Sequence, residues 1–284
     1  DLDMLMLFVS FIILSIFSLV YAGWKGQKLP ELNPSNYFRD PNDEREVVVC
    51  CGDSITHGRI GYDWVSGLAK NNKNKIFINA GINGDLSWNL HKRLGGIIKC
   101  QPSIITILIG TNDAMGSQSK KLGDDYIKMK KLPQHPSIDW YKKNYDMILT
   151  KLINKTNAKI YLITLPWIGE NENSKILEIV KNHNKVIEEL AIKYKLEIIP
   201  FFENIKTMIN KKKDNGLISK SKYEITYKRM ARIIRAIALH YLFRVSWNNV
   251  SNRYQLITLC DFIHLNDNGG LIISDLIQTK LDKQ

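Results

Sequence analysis

From residue 47 onward, short β-branched runs alternate with longer segments of helical pattern, and this alternation limits the classes of fold that the chain can adopt. The runs predict strands at residues 47–51, 75–79, 103–109, 159–165 and 196–201. The segments between and after them predict helices at residues 62–70, 86–98, 137–154, 174–194 and 268–281. Short apolar strands spaced by helices are typical of βαβ units. The sequence therefore predicts an α/β fold with a central, parallel, five-stranded sheet.

Small and polar residues follow the first three predicted strands. The motif GDS (52–54) follows the first strand, AGINGD (80–85) the second and GTND (110–113) the third. Parallel sheets bind ligands outside the carboxyl ends of their strands, and those ends meet at one edge. Turn formation explains such residues at a single strand, but their recurrence on three strands predicts a functional site at this edge.

Ser54 is the candidate nucleophile of this site. It lies between a strand and a helix, where the helix N-terminus favours negative charge, although an N-cap serine also fits this position. His264 is the candidate base, and Asp261, three residues earlier, can orient the imidazole through Nδ1 and leave Nε2 free. His57 is a rival base on the same turn as Ser54, and otherwise a residue at the rim of the site.

A serine, a histidine and an aspartate in these roles are the groups that hydrolyse esters, and such a site also needs hydrogen-bond donors for the oxyanion that forms during acyl transfer. Gly84 offers a backbone N–H on a flexible turn after the second strand, and Asn112 offers a side-chain NH₂ after the third. The N–H of Ser54 is a third candidate. Trp88 and Trp167 lie near predicted strand ends and, with His57, are candidates for the wall of a substrate pocket, although each tryptophan fits the core equally well.

These residues fall in four blocks, GDSITHG (52–58), NAGINGD (79–85), GTND (110–113) and DFIHLN (261–266). In sequence and order the blocks resemble those of the SGNH hydrolase family, also called GDSL-type esterases and lipases. The resemblance implies a flavodoxin-like three-layer α/β/α sandwich, and neither a metal nor an organic cofactor. It also implies a nucleophile at Ser54, a base at His264, an orienting carboxylate at Asp261, and oxyanion donors at Ser54, Gly84 and Asn112.

The predicted function is therefore that of a serine esterase or acylhydrolase, and its substrate is an acyl ester of a lipid, a glycan O-acyl group or a thioester. A metal-dependent phosphoesterase is one alternative, with ligands drawn from Asp53, His57, Asn112, Asp113, Asp261 and His264. The spacings typical of such metal sites do not occur in the sequence. A catalytically idle, membrane-anchored binding protein is the other alternative.

Residues 4–22 carry no charge and are long enough, as a helix, to cross a bilayer. The expected organisation is an anchor or signal segment at 1–24, a linker at 25–45 and a hydrolase domain at 46–284. Val20 and Ala22 also satisfy the small-residue rule for signal cleavage, and a core helix is a third interpretation. The protein is thus expected to be single-pass membrane-anchored or exported, with the side of the membrane undetermined.

The formal charge of +12 favours anionic partners, but the sequence has no nucleic-acid-binding motif, so no nucleic-acid partner is expected. Residues 205–256 form an insertion between the fifth predicted strand and the DFIHLN block, and the pattern of its segment 221–244 predicts a basic amphipathic helix. Such a helix either contacts anionic lipid or packs over the domain as a cap. Residues 114–136 are expected to form a mobile loop over the site.

Overall fold

The computed structural model describes residues 2–214 and 228–283 of the chain. Within them lies a five-stranded, fully parallel sheet, whose strands are β1 (Glu46–Gly52), β2 (Lys75–Gly81), β3 (Ile104–Leu108), β4 (Lys159–Ile163) and β5 (Glu197–Ile199). The strand order is β2-β1-β3-β4-β5. Except for its first residue, β1 is buried along its length, as expected for a central strand that is covered on both faces.

The strand order fixes where a ligand can bind. After β2 the chain crosses over β1 to form β3, and then continues in the opposite direction across the sheet through β4 and β5. The order therefore reverses between β1 and β3, and the crevice at their carboxyl ends is the topological switch point at which such folds bind ligands. The loops after β1 and β3 carry GDS and GTND, so the fold brings two of the predicted blocks to this crevice.

Helices cover both faces of the sheet. One layer contains α3, α10 and α13, in which α13 packs on both α3 and α10, and the other contains α4, α5, α8 and α9. This is the predicted three-layer sandwich. The helices are α1 (Leu2–Gln27), α2 (Ser54–His57), α3 (Trp64–Asn71), α4 (Ser87–Lys92), α5 (Leu94–Lys99), α6 (Thr111–Ser117), α7 (Lys120–Lys130), α8 (Ile138–Lys155), α9 (Lys175–Tyr194), α10 (Phe201–Asp214), α11 (Lys228–Phe243), α12 (Trp247–Ser251) and α13 (Asp267–Leu281).

Two local predictions are wrong. The single helix expected at 86–98 is interrupted at Arg93, where φ is −104° and ψ is 11°, and it forms α4 and α5 instead. The expected loop at 114–136 is largely helical, because it contains most of α6 and all of α7. Its glycines serve close packing rather than turns: a Cβ at Gly116 would lie 2.8 Å from Pro136 Cγ, and one at Gly123 would lie 2.3 Å from His135 Nδ1.

The N-terminal apolar segment forms α1. Met6–Gln27, 22 residues of mean hydropathy 2.3, is long and apolar enough to span a membrane, and only 6% of its most apolar window is buried. The last turns of α1 pack against α11, where Ala22 and Ile237 belong to one apolar cluster. The following segment has no regular element, but it is held against the sheet because Asn79 N donates to Leu32 O at 3.0 Å.

The insertion contributes α11 and α12 and the end of α10. Residues 221–227 of the predicted basic helix lie outside the described residues, and α11 contains the remainder. One side of α11 packs on the end of α1 and on Ile60, through Ile233 and Ile237. Met230, Ile234 and Phe243 are each at least half exposed, so α11 both covers the domain and presents apolar side chains to its surroundings.

Candidate active site

The loop after β1 and the loop before α13 bring Ser54, His264 and Asp261 into one hydrogen-bonded chain. Ser54 Oγ lies 2.9 Å from His264 Nε2, and His264 Nδ1 lies 2.7 Å from Asp261 Oδ2. Ser54 and His264 are 210 residues apart in sequence, so only the tertiary fold joins them. All three side chains are buried in the wall of a cavity or directly behind it. The order is that needed for a base to take a proton from a hydroxyl while a carboxylate orients the base.

The turn that holds Ser54 begins at Asp53, which is the N-cap of α2 and accepts a hydrogen bond from Ile55 N at 3.0 Å. Ser54 therefore does not cap the helix, and its hydroxyl is free to contact the imidazole. The neighbouring strand ends require glycine: a Cβ on Gly52 would lie 2.5 Å from Leu108 O, and one on Gly81 would lie 2.2 Å from His57 N. Close backbone approach thus places Ser54 at the switch point.

Asp261 organises the turn that carries the histidine. Its Oδ1 accepts hydrogen bonds from the backbone N–H of Ile263 at 3.0 Å and of His264 at 2.8 Å. Its other oxygen, Oδ2, is left for the imidazole. Burial raises the pKa of the Asp261 carboxyl, but the charge of His264 and these hydrogen bonds lower it further, and the net pKa lies below the usual range. The carboxylate is therefore ionised, accepts from Nδ1–H, and leaves the lone pair of Nε2 for the serine proton.

Glu170, which the sequence did not single out, fastens the chain before this turn. Its buried carboxylate accepts from the backbone N–H groups of Ile257, Thr258 and Leu259 at 2.7–3.0 Å, and from the hydroxyl of Thr258 at 2.8 Å. Burial raises the pKa of Glu170 above its usual value, against the lowering effect of these bonds. Four donors on one carboxylate fix the path of the chain that leads to Asp261.

Two of the predicted oxyanion donors line the same cavity as Ser54 and His264. Gly84 has a φ of 74°, and a Cβ there would lie 3.3 Å from Met129 Cε, so the turn favours glycine. Asn112 Nδ2 donates to Asp85 O at 3.0 Å, and Asn112 Oδ1 accepts from the hydroxyl of Tyr126 at 2.7 Å. Tyr126 thereby fixes which end of the amide is the NH₂, and one of its two N–H groups remains for a substrate.

The cavity itself has a volume of about 290 Å³. Apolar side chains from several elements form much of its wall: Ile60, Met115, Met129, Met230, Ile233 and Ile263. Two cationic residues, Lys130 and Arg229, also line it, and Gln27, the last residue of α1, lies at its edge. The cavity can therefore hold an uncharged acyl group beside the Ser54 hydroxyl, with positive charge close by.

The three residues predicted to line a substrate pocket do not line this cavity, and that prediction is corrected. Trp88 packs against Trp140, with ring centroids 6.3 Å apart, and Trp167 is buried against Phe202 at 6.4 Å. His57 is buried behind the turn, where burial and the charge of Arg59 lower its pKa to about 4. Proximity to strand ends placed these residues near the site, but His57 and Trp167 are buried in the core, and the half-buried Trp88 packs against α8 through Trp140.

Buried carboxylates surround the strand ends. Asp113 accepts from Ser87 N at 2.9 Å and from Ser87 Oγ at 2.6 Å, which holds the turn after β2 against the loop after β3. Burial raises the pKa of Asp113 to about 6. Within residues 2–214 and 228–283, no three His, Cys, Asp or Glu side chains converge as a metal ion requires, so the two-metal alternative has no ligand set there.

Asp53 gives a pH-dependent prediction. Burial raises its pKa from 3.8 to about 7, so between these values the unfolded chain is ionised and the folded chain is not. The protonated Asp53 carboxyl therefore makes its full contribution to the free energy of unfolding below about pH 4, and this contribution is lost as the pH rises towards 7. We expect Asp53→Asn, which keeps an acceptor for Ile55 N, to reduce this loss by roughly 2–4 kcal/mol in urea unfolding followed from pH 4 to 8.

The exposed Asp125→Asn is the control for this prediction and should keep the wild-type slope of unfolding free energy against pH. Asp113 contributes a slope of the same sign, so the Asp53 variant should retain part of the dependence. Identical slopes in the wild type and in Asp53→Asn would contradict the prediction, because Asp53 would then ionise as it does in water.

Fold and site together define the class: this is a serine hydrolase that acts on ester bonds. The chain belongs to the GDSL-like lipase/acylhydrolase family, whose model matches residues 50–269. The match extends over all four sequence blocks, and it confirms the resemblance that they carry. No curated protein sequence matches the chain at a significant level.

Solved structures support the fold. An acetyl xylan esterase, AlAXEase, is 19% identical with a TM-score of 0.54, covering 83% of this chain and 99% of its own. A GDSL-like lipase from Bacteroides thetaiotaomicron is 17% identical with a TM-score of 0.55, covering 87% and 92%. A variant of an acetyl-xylooligosaccharide esterase from a Geobacillus species is 17% identical with a TM-score of 0.56, covering 83% and 94%. At these identities the likeness establishes the α/β architecture alone.

Proposed function

We propose that this protein hydrolyses acyl esters through Ser54 as nucleophile, His264 as general base and Asp261 as the carboxylate that orients the histidine and stabilises its protonated form. The observation that carries the proposal is the unbroken chain of hydrogen bonds from Ser54 Oγ to Asp261 Oδ2, at 2.9 and 2.7 Å. Membership of an acylhydrolase family supports the reaction class. The cavity beside Ser54 supports access for an ester.

In the proposed reaction, Ser54 Oγ attacks the ester carbonyl carbon while its proton moves to His264 Nε2. The carbonyl oxygen becomes an oxyanion that accepts from the N–H groups of Ser54 and Gly84 and from the amide of Asn112. Collapse of this intermediate breaks the bond to the alcohol, which takes the proton from Nε2. Water, activated by the same histidine, then attacks the acyl-serine and releases the acid, which restores the Ser54 hydroxyl.

We propose a short acyl group for the substrate. A cavity of about 290 Å³ lies at the lower end of the range for small-molecule sites, and it must hold part of the alcohol as well. Two of the structural neighbours have names that specify acetylated xylan or xylooligosaccharide, which supports an O-acetyl ester as the form to test first. Rates on 4-nitrophenyl esters from two to sixteen acyl carbons should peak at the short end, and a maximum at long chains would contradict this.

We also propose that α1 anchors the enzyme in a membrane, with residues 1–24 as the anchor segment, 25–45 as the connection and 46–284 as the hydrolase domain. Its support is a helix of 26 residues, about 39 Å long, whose apolar side chains are exposed from residue 6 to 21. The full chain should then stay in the membrane pellet after an alkaline carbonate wash. A released protein whose N-terminus follows Ala22 would identify a cleaved signal instead.

A fluorophosphonate probe tests the proposed reaction directly. Such probes form a covalent bond with an activated serine, so we expect one adduct per chain, located on Ser54 by peptide mass spectrometry. Labelling should be lost in the heat-unfolded protein, because activation depends on His264 being 2.9 Å away. A folded protein that hydrolyses no ester and takes up no probe would overturn the proposal and favour a binding role.

A further inference from the structure

The active-site cavity contains two cationic side chains, and only one of them has a carboxylate partner in the described part of the chain. Lys130 Nζ lies 2.6 Å from Asp85 Oδ1 and 3.0 Å from Asn83 O. Lys130 therefore has a carboxylate partner, which it shares with Arg93, whose Nε lies 2.8 Å from Asp85 Oδ2. Arg229, on α11, lines the same cavity but forms no ion pair with any carboxylate among residues 2–214 and 228–283.

The Arg229 guanidinium is held in place by an aromatic ring. Its Cζ lies 5.6 Å from the centroid of the Tyr126 ring, a distance typical of a cation–π contact. One of its nitrogens, Nη1, is buried and has no hydrogen-bond partner among the described residues. A buried guanidinium N–H without an acceptor costs free energy, and the cost is removed when an anionic group enters and accepts from it.

We infer that Arg229 is a specificity residue that binds an anionic group, a phosphate or a carboxylate, on the alcohol part of the ester substrate. This inference rests on the proposed function, because it names the chemical class of substrate for the same site. A planar guanidinium is suited to these groups, since it can donate two parallel N–H bonds to two oxygens of one anion. Arg229 comes from the insertion, so the insertion would set specificity while the four blocks supply the chemistry.

The position of Arg229 allows it to bind an anionic group of the substrate while Ser54 and His264 carry out the same reaction. Tyr126, under the guanidinium, donates to Asn112 Oδ1 at 2.7 Å, so Arg229 lies two contacts away from a proposed oxyanion donor. The apolar residues of the wall are left for the acyl group. An anion bound at Arg229 would therefore place the ester between the guanidinium and the Ser54 hydroxyl, in the cavity that both residues line.

Three matched esters test the inference on the full-length enzyme. They are 1-acetylglycerol, which is neutral, 3-acetylglycerate, which carries a carboxylate, and 1-acetylglycerol 3-phosphate. We expect kcat/KM for one or both anionic esters to exceed that for the neutral ester by roughly tenfold or more, since charge-assisted hydrogen bonds are strong. The anion that gives the larger ratio identifies the group recognised.

Arg229→Gln should lower this ratio to about one, and Arg229→Lys should retain part of the preference. The exposed Arg253→Gln removes the same charge outside the cavity and should keep the wild-type ratio. An equal loss on all three esters would overturn the inference, because Arg229 would then act only through Tyr126 and Asn112. Hydrolysis without anion preference would overturn it and leave the proposed function standing, whereas hydrolysis of no ester would overturn both.

Discussion

Ser54→Ala is expected to lower kcat on 4-nitrophenyl acetate by roughly 10⁴–10⁶-fold while the fold is unchanged. The substitution removes one oxygen that contacts His264 at 2.9 Å, and among residues 2–214 and 228–283 no other side chain in the cavity wall offers a hydroxyl placed beside that imidazole. The helix should survive, because α2 is capped by Asp53 and not by Ser54. Residual activity over the uncatalysed reaction would come from the oxyanion donors and from substrate binding alone.

The measurement is steady-state kinetics together with thermal unfolding of the same samples. Ser274→Ala is the matched control: it removes a hydroxyl from a helical serine that bonds to Gly270 O at 2.9 Å, away from the cavity, and should keep full activity. Ser54→Ala should unfold within a few degrees of the wild type. A variant that keeps more than about one tenth of wild-type kcat would rule out Ser54 as the nucleophile.

The strands and the edge at which the site lies could be predicted from the sequence because both depend on local patterns. Apolar runs such as 47–51 are typical of a strand buried on both faces, and the polar residues after them mark the carboxyl end. The Asp261–His264 spacing is also local, since the carboxylate and the imidazole lie on one turn. The contact between Ser54 and His264 is not local: His264 lies in the loop before α13 and not at the end of a strand of the sheet, so strand patterns alone do not predict it.

The residues that support the site could not be predicted in this way. Glu170 bonds to a segment 87–89 residues away, and Tyr126 reaches Asn112 from a segment whose glycines suggested a loop. Arg229 was one of many basic residues on a predicted amphipathic helix, and only packing distinguishes it from the others. Each of these side chains acts through long-range contacts, and no periodicity or spacing in the sequence predicts those contacts.

The errors at Trp88 and Trp167 have a related cause. Both lie close in sequence to strand ends that do form the site, and an aromatic residue there can face either a substrate or the core. The Trp167 ring is buried against Phe202, and the half-buried Trp88 ring packs on Trp140, so both rings contact covering helices instead of the cavity. Sequence proximity to a functional edge therefore predicts the location of a loop but not the direction of its side chains.

Asp261→Asn is expected to lower kcat by roughly 10³–10⁴-fold with KM within about threefold of the wild type. The asparagine Oδ1 can still accept from the backbone N–H of Ile263 and His264, so the turn should keep its shape. The NH₂ then faces His264 Nδ1, which must become the acceptor, and the ring proton moves to Nε2. An imidazole protonated at Nε2 can donate to Ser54 Oγ but cannot take its proton.

Asp275→Asn, an exposed position on α13, is the control and should leave kcat unchanged. Fluorophosphonate labelling gives a second readout that a loss of folding alone would not mimic: the Asp261 variant should react slowly but still only at Ser54. The ionised Asp261 carboxylate stabilises the folded wild type above the unfolded pKa near 4, and this stability is lost as the pH falls through the lower folded pKa. The Asp261→Asn variant lacks this contribution, so it should also have a lower free energy of unfolding at neutral pH. Unchanged kcat in a folded Asp261→Asn protein would show that the carboxylate neither orients His264 nor stabilises its charge.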